Sequence, residues 1–425
     1  MLKKITLIIV LLQTITTFSQ DNVKLMFYNL LHYPTTMPSR ISNLEIILDD
    51  YQPDIFMVCE LENSTGSANI LNAIQTDDNR YAAATYTDNQ STSSPLQQMV
   101  YFNTKKMSLT TEQIHSTAIR DINHYTFLLA TPDSDTNPKY LEVFVTHLKA
   151  GSQNDGIPTN GTKREEMAAI FVDELQNIPT DRYVVFSGDF NLYTSSEPAY
   201  QKIIDPNNNI VMVDPINRPG DWHDYANRYT FQDIFTQSTF AYDASLPGYG
   251  NDHIGDGSSG GIDDRFDFIM MSNNLNDTAA NIHYKANSYH AFGNNENCYN
   301  KSVNDASCTG SYSQAIRDAL FNFSDHMPVV MEIETSQTLA TTNLVHTTNF
   351  KLYNTIVKNT IELEINRPNS TKETIYIYSP IGKLVAKKQL NKTNRISIDI
   401  SNLSNGVYYI KSTNTKQTPL KFIKI

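Results

Sequence analysis

The chain has 425 residues, of which 40% are hydrophobic and 18% charged, with a formal net charge of −12. That length favours two domains over one small core, and the composition excludes wholesale disorder. Charge is uneven: from residue 344 onward there are 13 Lys and Arg against 4 Asp and Glu, net +9, while residues 20–343 hold 18 against 41, net −23, which excludes binding of polyanions there by simple surface attraction.

Residues 1–19, MLKKITLIIVLLQTITTFS, carry Lys3 and Lys4, then an apolar stretch Ile5–Leu12, then Thr17-Phe18-Ser19, whose Thr17 and Ser19 are small residues at the cleavage positions. This reads as a signal peptide, with the mature chain starting near Gln20; the apolar stretch is too short to span a bilayer. No other stretch approaches that length. VKLMFY is a buried strand run ending at Asn29. Ser39–Asp50 places Ile41, Leu44 and Leu48 on one helical face, with Ser39 as its N-cap. DIFMVC is a second buried run, ending at Glu60, and Cys59 within it reads as an inert core thiol.

LEVFVT ends at His147, and Arg164–Leu175 predicts a helix from Met167, Phe171 and Leu175. YVVFSG ends at Asp189, with Asn191 two residues on. Gly188 in that run lets the backbone bend sharply or come close to another group. Two later runs reverse the order. Asp267 opens RFDFIMMS, and Asp325 and His326 precede the apolar part of SDHMPVVMEI. Polar groups at strand ends in one set and strand starts in the other imply strands running both ways toward one edge. The expected fold is therefore two packed mixed sheets covered by helices.

Cys298 and Cys308 lie in a polar stretch and, in an exported protein, are expected to form a disulfide closing a short loop. Residues 337–345 are small and polar and read as a linker. Beyond 346, TIYIYS, RISIDI and GVYYIK alternate as strands of a small β-sandwich.

Suppose the six strand ends meet. Crowded carboxylates repel unless a cation sits among them. Oxygen ligands such as Glu60 and Asp325, helped by an amide, suit Mg²⁺, Mn²⁺ or Ca²⁺ rather than zinc. Such an ion beside two histidines and two amides fits hydrolysis of a phosphate ester. One histidine, polarised by an Asp, takes a proton from water, and the other protonates the leaving oxygen. Each piece alone is weak: a lone buried His is more often a core residue, and an Asp at a strand edge is common. The joint order is what argues against chance.

FYNLL with Asn29, PDIFMVCELEN with Glu60, VTHLKAG with His147, GDFN with Asp189 and Asn191, DDRFDFIMMS with Asp267 and SDHMPV with Asp325 and His326 form a set. On these motifs residues 22–334 resemble the endonuclease/exonuclease/phosphatase family. The resemblance implies a four-layer α/β sandwich. It implies His326 as base partnered by Asp267, Asp189 and Asn191 orienting water and phosphate, and Glu60 holding the ion with Asp325 or Asn29. His147 as acid resembles the secreted deoxyribonuclease-like and sphingomyelinase-like branches. Cys59 departs from the family's usual Gln, at a position without chemistry. FKLYN, IYIYSPIGKLV, ISIDISNLSNGVYYIK and LKFIKI are similar to the sorting domain of type IX secretion substrates.

The expected organisation is thus a signal peptide (1–19), a catalytic domain (20–336), a linker (337–345) and a β-sandwich sorting domain (346–425). The expected protein is a monomer exported through the periplasm to the surface or medium by the type IX machinery. The expected activity is divalent-ion-dependent cleavage of DNA, with RNA as a further substrate, and little sequence preference. A sphingomyelinase-like or other phosphoester hydrolase is the alternative, weakened by the absence of an apolar insertion hairpin; the −23 charge weakens the nuclease. A non-catalytic surface protein is disfavoured, since every motif keeps its chemical residue.

Overall fold

The structure is a computed structural model. It describes residues 21–335 apart from 36, 77, 92–93, 224–225, 227, 241–257 and 259, then 339, 350–365, 374–380, 383–389, 395–412 and 420–425. The expected signal peptide and nearly all of the expected linker lie outside the described residues. The chain divides into two compact units, Met1–Thr341 and Thr342–Ile425.

In chain order unit 1 contains β1 (Asp21–Tyr33), α1 (Ile41–Tyr51), β2 (Ile55–Leu61), α2 (Ser64–Ile74), β3 (Tyr81–Ala83), β4 (Gln97–Asn103), β5 (Met107–His115), β6 (Ile122–Leu129), β7 (Tyr140–His147) and α3 (Asn160–Leu175). There follow β8 (Tyr183–Asp189), α4 (Pro198–Ile203), β9 (Met212–Val213), α5 (Arg228–Phe231), β10 (Asp267–Ser272), β11 (Ile282–Tyr284), β12 (His290–Ala291), α6 (Gln314–Phe321) and β13 (Val329–Thr335). One sheet has the order β11-β13-β1-β2-β4-β3, with β12 also on β13; the other runs β5-β6-β7-β8-β10-β9. The apolar runs are buried on both faces, because β1 and β2 pack on β7, β8 and β10 while helices cover the outside. Tyr51 of α1 packs over the first sheet against Phe292. On the second sheet, Phe171 of α3 stacks on Phe186 of β8 and meets Phe144 of β7 edge-on. The result is a four-layer α/β sandwich.

Polarity decides where the polar ends fall. β1 and β2 are parallel, as are β7 and β8. β13 is antiparallel to β1, and β10 to β8. The C-terminal ends of four strands and the N-terminal starts of two therefore share one edge.

Three details differ from the sequence reading. α1 starts at Ile41, after a 3-10 turn Pro38–Arg40, so Ser39 does not cap it. Pro38 favours that tight turn at its first position. α3 begins at Asn160, capped by Thr159, whose hydroxyl accepts from Thr162 N. β1 does not end at Asn29 but kinks there: its pairing with β2 shifts between Asn29 and Tyr33, and Leu31 and His32 take φ of 45° and 48°. The buried guanidinium of Arg40 holds this kink by donating to the carbonyls of Leu30, Leu31 and Phe323.

Gly188 answers a close approach. A Cβ there would lie 2.3 Å from Thr146 O on β7. Gly188→Ala is expected to push β8 off β7 and destabilise unit 1 by about 1–3 kcal/mol, the usual scale of overpacking. A thermal melt equal to that of the parent chain would show that the strands accommodate the methyl.

Unit 2 has two sheets. β14 (Phe350–Leu352), β16 (Thr360–Ile365) and β19 (Arg395–Asp399) form one; β15 (Ile356–Val357), β21 (Leu420–Lys424), β20 (Gly406–Ser412), β17 (Thr374–Tyr378) and β18 (Leu384–Gln389) form the other. Ile361, Leu363, Ile375, Ile377, Ile398, Ile410 and Phe422 make a core of alternate strand positions. Cys298 and Cys308 are bonded, and Cys59 is a buried free thiol. Among the described residues no helix is long and apolar enough to cross a membrane.

Candidate active site

The shared edge gathers the polar groups named from the sequence. Asn29 Nδ2 donates to Glu60 Oε1 at 3.0 Å and to Asp189 Oδ2 at 3.1 Å. His147 Nε2 lies 3.5 Å from Asp189 Oδ2 and 3.9 Å from Glu60 Oε1. His326 Nε2 lies 3.9 Å from the same Asp189 oxygen and 4.0 Å from Asp325 Oδ1. The other nitrogen of His326, Nδ1, is 2.7 Å from Asp267 Oδ2. Asn191, with φ of 51°, donates its backbone N–H to Asp189 Oδ1 at 3.0 Å, and its side chain reaches Leu148 O at 3.4 Å. Asp325 Oδ2 accepts from Ser258 N at 2.9 Å. The residues come from both sheets, so sheet packing itself builds the cluster.

A divalent cation fits this donor set. Two groups have ligand atoms within 4.8 Å of one another: Glu60, His147 and Asp189, and Asp189, Asp267 and His326. Asp267 Oδ1 and Asp325 Oδ1 are buried carboxylate oxygens without a hydrogen-bond partner. Such orphaned acceptors are costly unless something positive meets them. The sequence reading has Asn29 as a ligand beside Glu60. Here its oxygen accepts from Leu31 N at 3.0 Å, and it faces Glu60 as a donor.

Electrostatics follow from burial and crowding. Burial, joined by the Asp267 and Glu60 charges and opposed by His326, pushes the Asp189 carboxyl up to about 7. Burial also raises Asp325. Burial alone would lower His326, yet Asp267, Asp325 and Asp189 outweigh it and hold the imidazole well above its ordinary value. His147 is pushed well below its ordinary value, by burial first and then by the Arg120 charge. The ion-free site thus protonates His326 and leaves His147 neutral, the opposite of the states a base and an acid need. A positive charge among the carboxylates weakens the hold of His326 on its proton, the direction a base requires.

Sequence reasoning missed three contributors. Arg120 is buried and donates to His147 O at 3.0 Å and Leu148 O at 2.7 Å, which places its charge beside the cluster. It sits in TAIRDI, outside any apolar run, so no pattern marks it. His32 Nδ1 is 2.9 Å from Glu62 Oε1, and its backbone N–H donates to Glu60 Oε2 at 3.1 Å. Ser324 Oγ donates to Asn29 O at 2.7 Å and accepts from His326 N at 3.2 Å, tying the first and last motifs together. Ser324 opens SDH, and that motif was its one available signal.

Residues 352–425 match the family described as a secretion system C-terminal sorting domain. No curated protein matches the sequence. The chain is similar to an endonuclease/exonuclease/phosphatase family protein from Bacteroides thetaiotaomicron, at 13% identity and a TM-score of 0.45 over 75% of this chain and 99% of that one. A Bacteroides vulgatus endonuclease/exonuclease/phosphatase is similar at 15% identity and TM-score 0.44, over 74% and 99%. The human Nocturnin catalytic domain is similar at 14% and 0.43, over 74% and 97%. These are distant likenesses of form.

Proposed function

We propose that residues 20–336 are a divalent-ion-dependent phosphodiesterase that cuts DNA with little sequence preference, exported by way of the sorting domain at 346–425. The observation carrying this reading is the pair of histidines flanking Asp189 at 3.5 and 3.9 Å, one tied to Asp267 and one not. A phosphodiester needs help on both sides of phosphorus: a group that takes the proton of the attacking water, and one that meets the leaving oxygen. His326, oriented through Nδ1 by Asp267, presents Nε2 for the first task. Asp189 and Asn191 fix the water and phosphate between the rings. Glu60 and Asp325 would hold the ion, with Asn29 orienting Glu60. When bound, the ion neutralises phosphoryl oxygens.

His147 serves the leaving side. Because its surroundings keep it neutral, it acts as an N–H donor there rather than as a stored proton. His147→Ala is expected to lower DNA cleavage by about 10²-fold, at the lower end of general acid–base effects. His147→Gln, which donates but cannot protonate, is expected to recover part of that loss. Equal loss in both variants would return His147 to the role of acid.

One assay tests the whole reading. Plasmid DNA, RNA, sphingomyelin and a chromogenic diester are offered to the full chain and to residues 20–345, with and without chelator. Chelator-sensitive DNA cleavage, equal in both chains, is expected. Few phosphate contacts are available to so acidic a surface, so added salt should reduce it only modestly. Rapid sphingomyelin cleavage with intact DNA would transfer the reading to the lipid hydrolase, and no turnover on any substrate would favour a binding protein.

A further inference from the structure

A second histidine cluster lies on the outer face of the second sheet, away from the site above. His124 of β6 stacks on Phe144 of β7, with ring centroids 3.9 Å apart and planes 10° apart. Phe144 packs against Phe171 of α3 and so faces the helix layer. His147, three residues along β7, points to the other side. His115, at the end of β5, places Nε2 3.5 Å from His124 Nδ1. Each ring has a carboxylate at its far nitrogen: Glu142 Oε2 is 2.9 Å from His124 Nε2, and Glu174 Oε1 is 3.3 Å from His115 Nδ1.

Tautomers decide what this means. Glu142 also accepts from Thr126 Oγ1 at 2.6 Å and pairs with Arg182. Burial would raise its pKa, but these hydrogen bonds and the one from His124 keep it below the ordinary carboxylate value. An ionised Glu142 accepts a hydrogen bond from His124 Nε2–H, and Glu174 in the same way holds the proton of His115 on Nδ1. The two nitrogens that face each other are then both lone pairs, a repulsive contact unless a cation lies between them. A tetrahedral zinc with Zn–N bonds of about 2.1 Å separates two imidazole nitrogens by about 3.4 Å. Carboxylates bonded to the far nitrogens are the usual support of metal-binding histidines, fixing tautomer and ring orientation.

We propose that His115 and His124 form a two-histidine site for a borderline transition-metal ion such as Zn²⁺, with Glu174 and Glu142 as positioning residues and solvent completing the coordination. Imidazole suits such ions and not the hard ion of the carboxylate-rich cluster. The ion would tie β5 to β6 beneath α3.

The test is calorimetric titration of Zn²⁺ into the untagged full-length mature chain, with Mg²⁺ in excess to occupy the oxygen-rich cluster. One Zn²⁺ equivalent is expected that survives in Glu60→Gln, is lost in His115→Gln and weakens by about 10–100-fold in Glu174→Gln, the usual effect of losing such a support. Identical titrations of the parent and His115→Gln chains would overturn the site, as would loss of the equivalent in Glu60→Gln alone. X-ray absorption at one Zn²⁺ equivalent needs no variant. Two imidazole nitrogens near 2 Å are expected; an all-oxygen shell would mean that the pair holds only a proton, and the proposal fails.

Discussion

His326→Ala is expected to lower turnover by about 10²–10⁴-fold, the span of a positioned acid–base group. The ring is buried, its Nδ1 is committed to Asp267, and its Nε2 is the basic nitrogen on that flank of Asp189. Alanine removes the proton acceptor and leaves Asp267 buried with a lost partner. Some stability will therefore fall with activity, and a melting curve must accompany the kinetics. Asp267→Asn separates the two effects: it keeps the contact but no longer holds the imidazole in one tautomer, so it should lose much of the turnover and less of the stability. A folded His326→Ala chain with near-normal cleavage would remove His326 from the chemistry.

Asp189→Asn is expected to abolish turnover and at the same time stabilise the ion-free protein at pH 8. The folded carboxyl sits at about 7 against an ordinary 3.8. A carboxyl raised in this way contributes stability below its unfolded pKa and loses it as pH rises through 7. At pH 8 the penalty is fully present, about 2–4 kcal/mol for a shift of some three units after allowance for relaxation. Asn is nearly isosteric, carries no charge and still offers an oxygen to Asn29 Nδ2. His326, raised as well, adds to the loss in the same direction. His147, lowered, is neutral in both states above pH 6.5 and drops out. Melting in chelator at pH 5 and pH 8 decides: the gain should appear at pH 8 and shrink at pH 5. An Asn variant less stable than the parent at pH 8 would show that the carboxylate is held comfortably without an ion.

The fold was legible where burial writes a pattern. The apolar stretches within DIFMVC and YVVFSG are continuous because both faces are covered, and their polar ends marked the edge of the sheets. The reversed order in RFDFIMMS and SDHMPVVMEI carried strand direction, which is what separated mixed sheets from a parallel one. Helix starts were read less well. Ser39 has the chemistry of a cap, but Pro38 and the buried task of Arg40 decide the local backbone. Arg40 and Arg120 were invisible because their partners are main-chain carbonyls, which every residue supplies. Nor does a sequence show that His147 is neutral and His326 charged: the Arg120 guanidinium beside the first, and Asp267 and Asp189 beside the second, are remote along the chain, and only Asp325 is a sequence neighbour. The His115–His124 pair escaped notice for a similar reason, as its register depends on how β5 meets β6.

β1 pairs with β13 over Asp21–Phe27, Asp21 opposite Thr335, and the cluster draws Asn29 from one and Asp325 and His326 from just before the other. No nascent or partly threaded chain short of about the whole unit holds both halves. Pairing across such a separation is slow, since the long loop must close before its contacts form. Until that pairing closes the cluster is incomplete, so any activity it carries waits on the folding of the whole unit. Chain order alone thus makes the site a late product of folding.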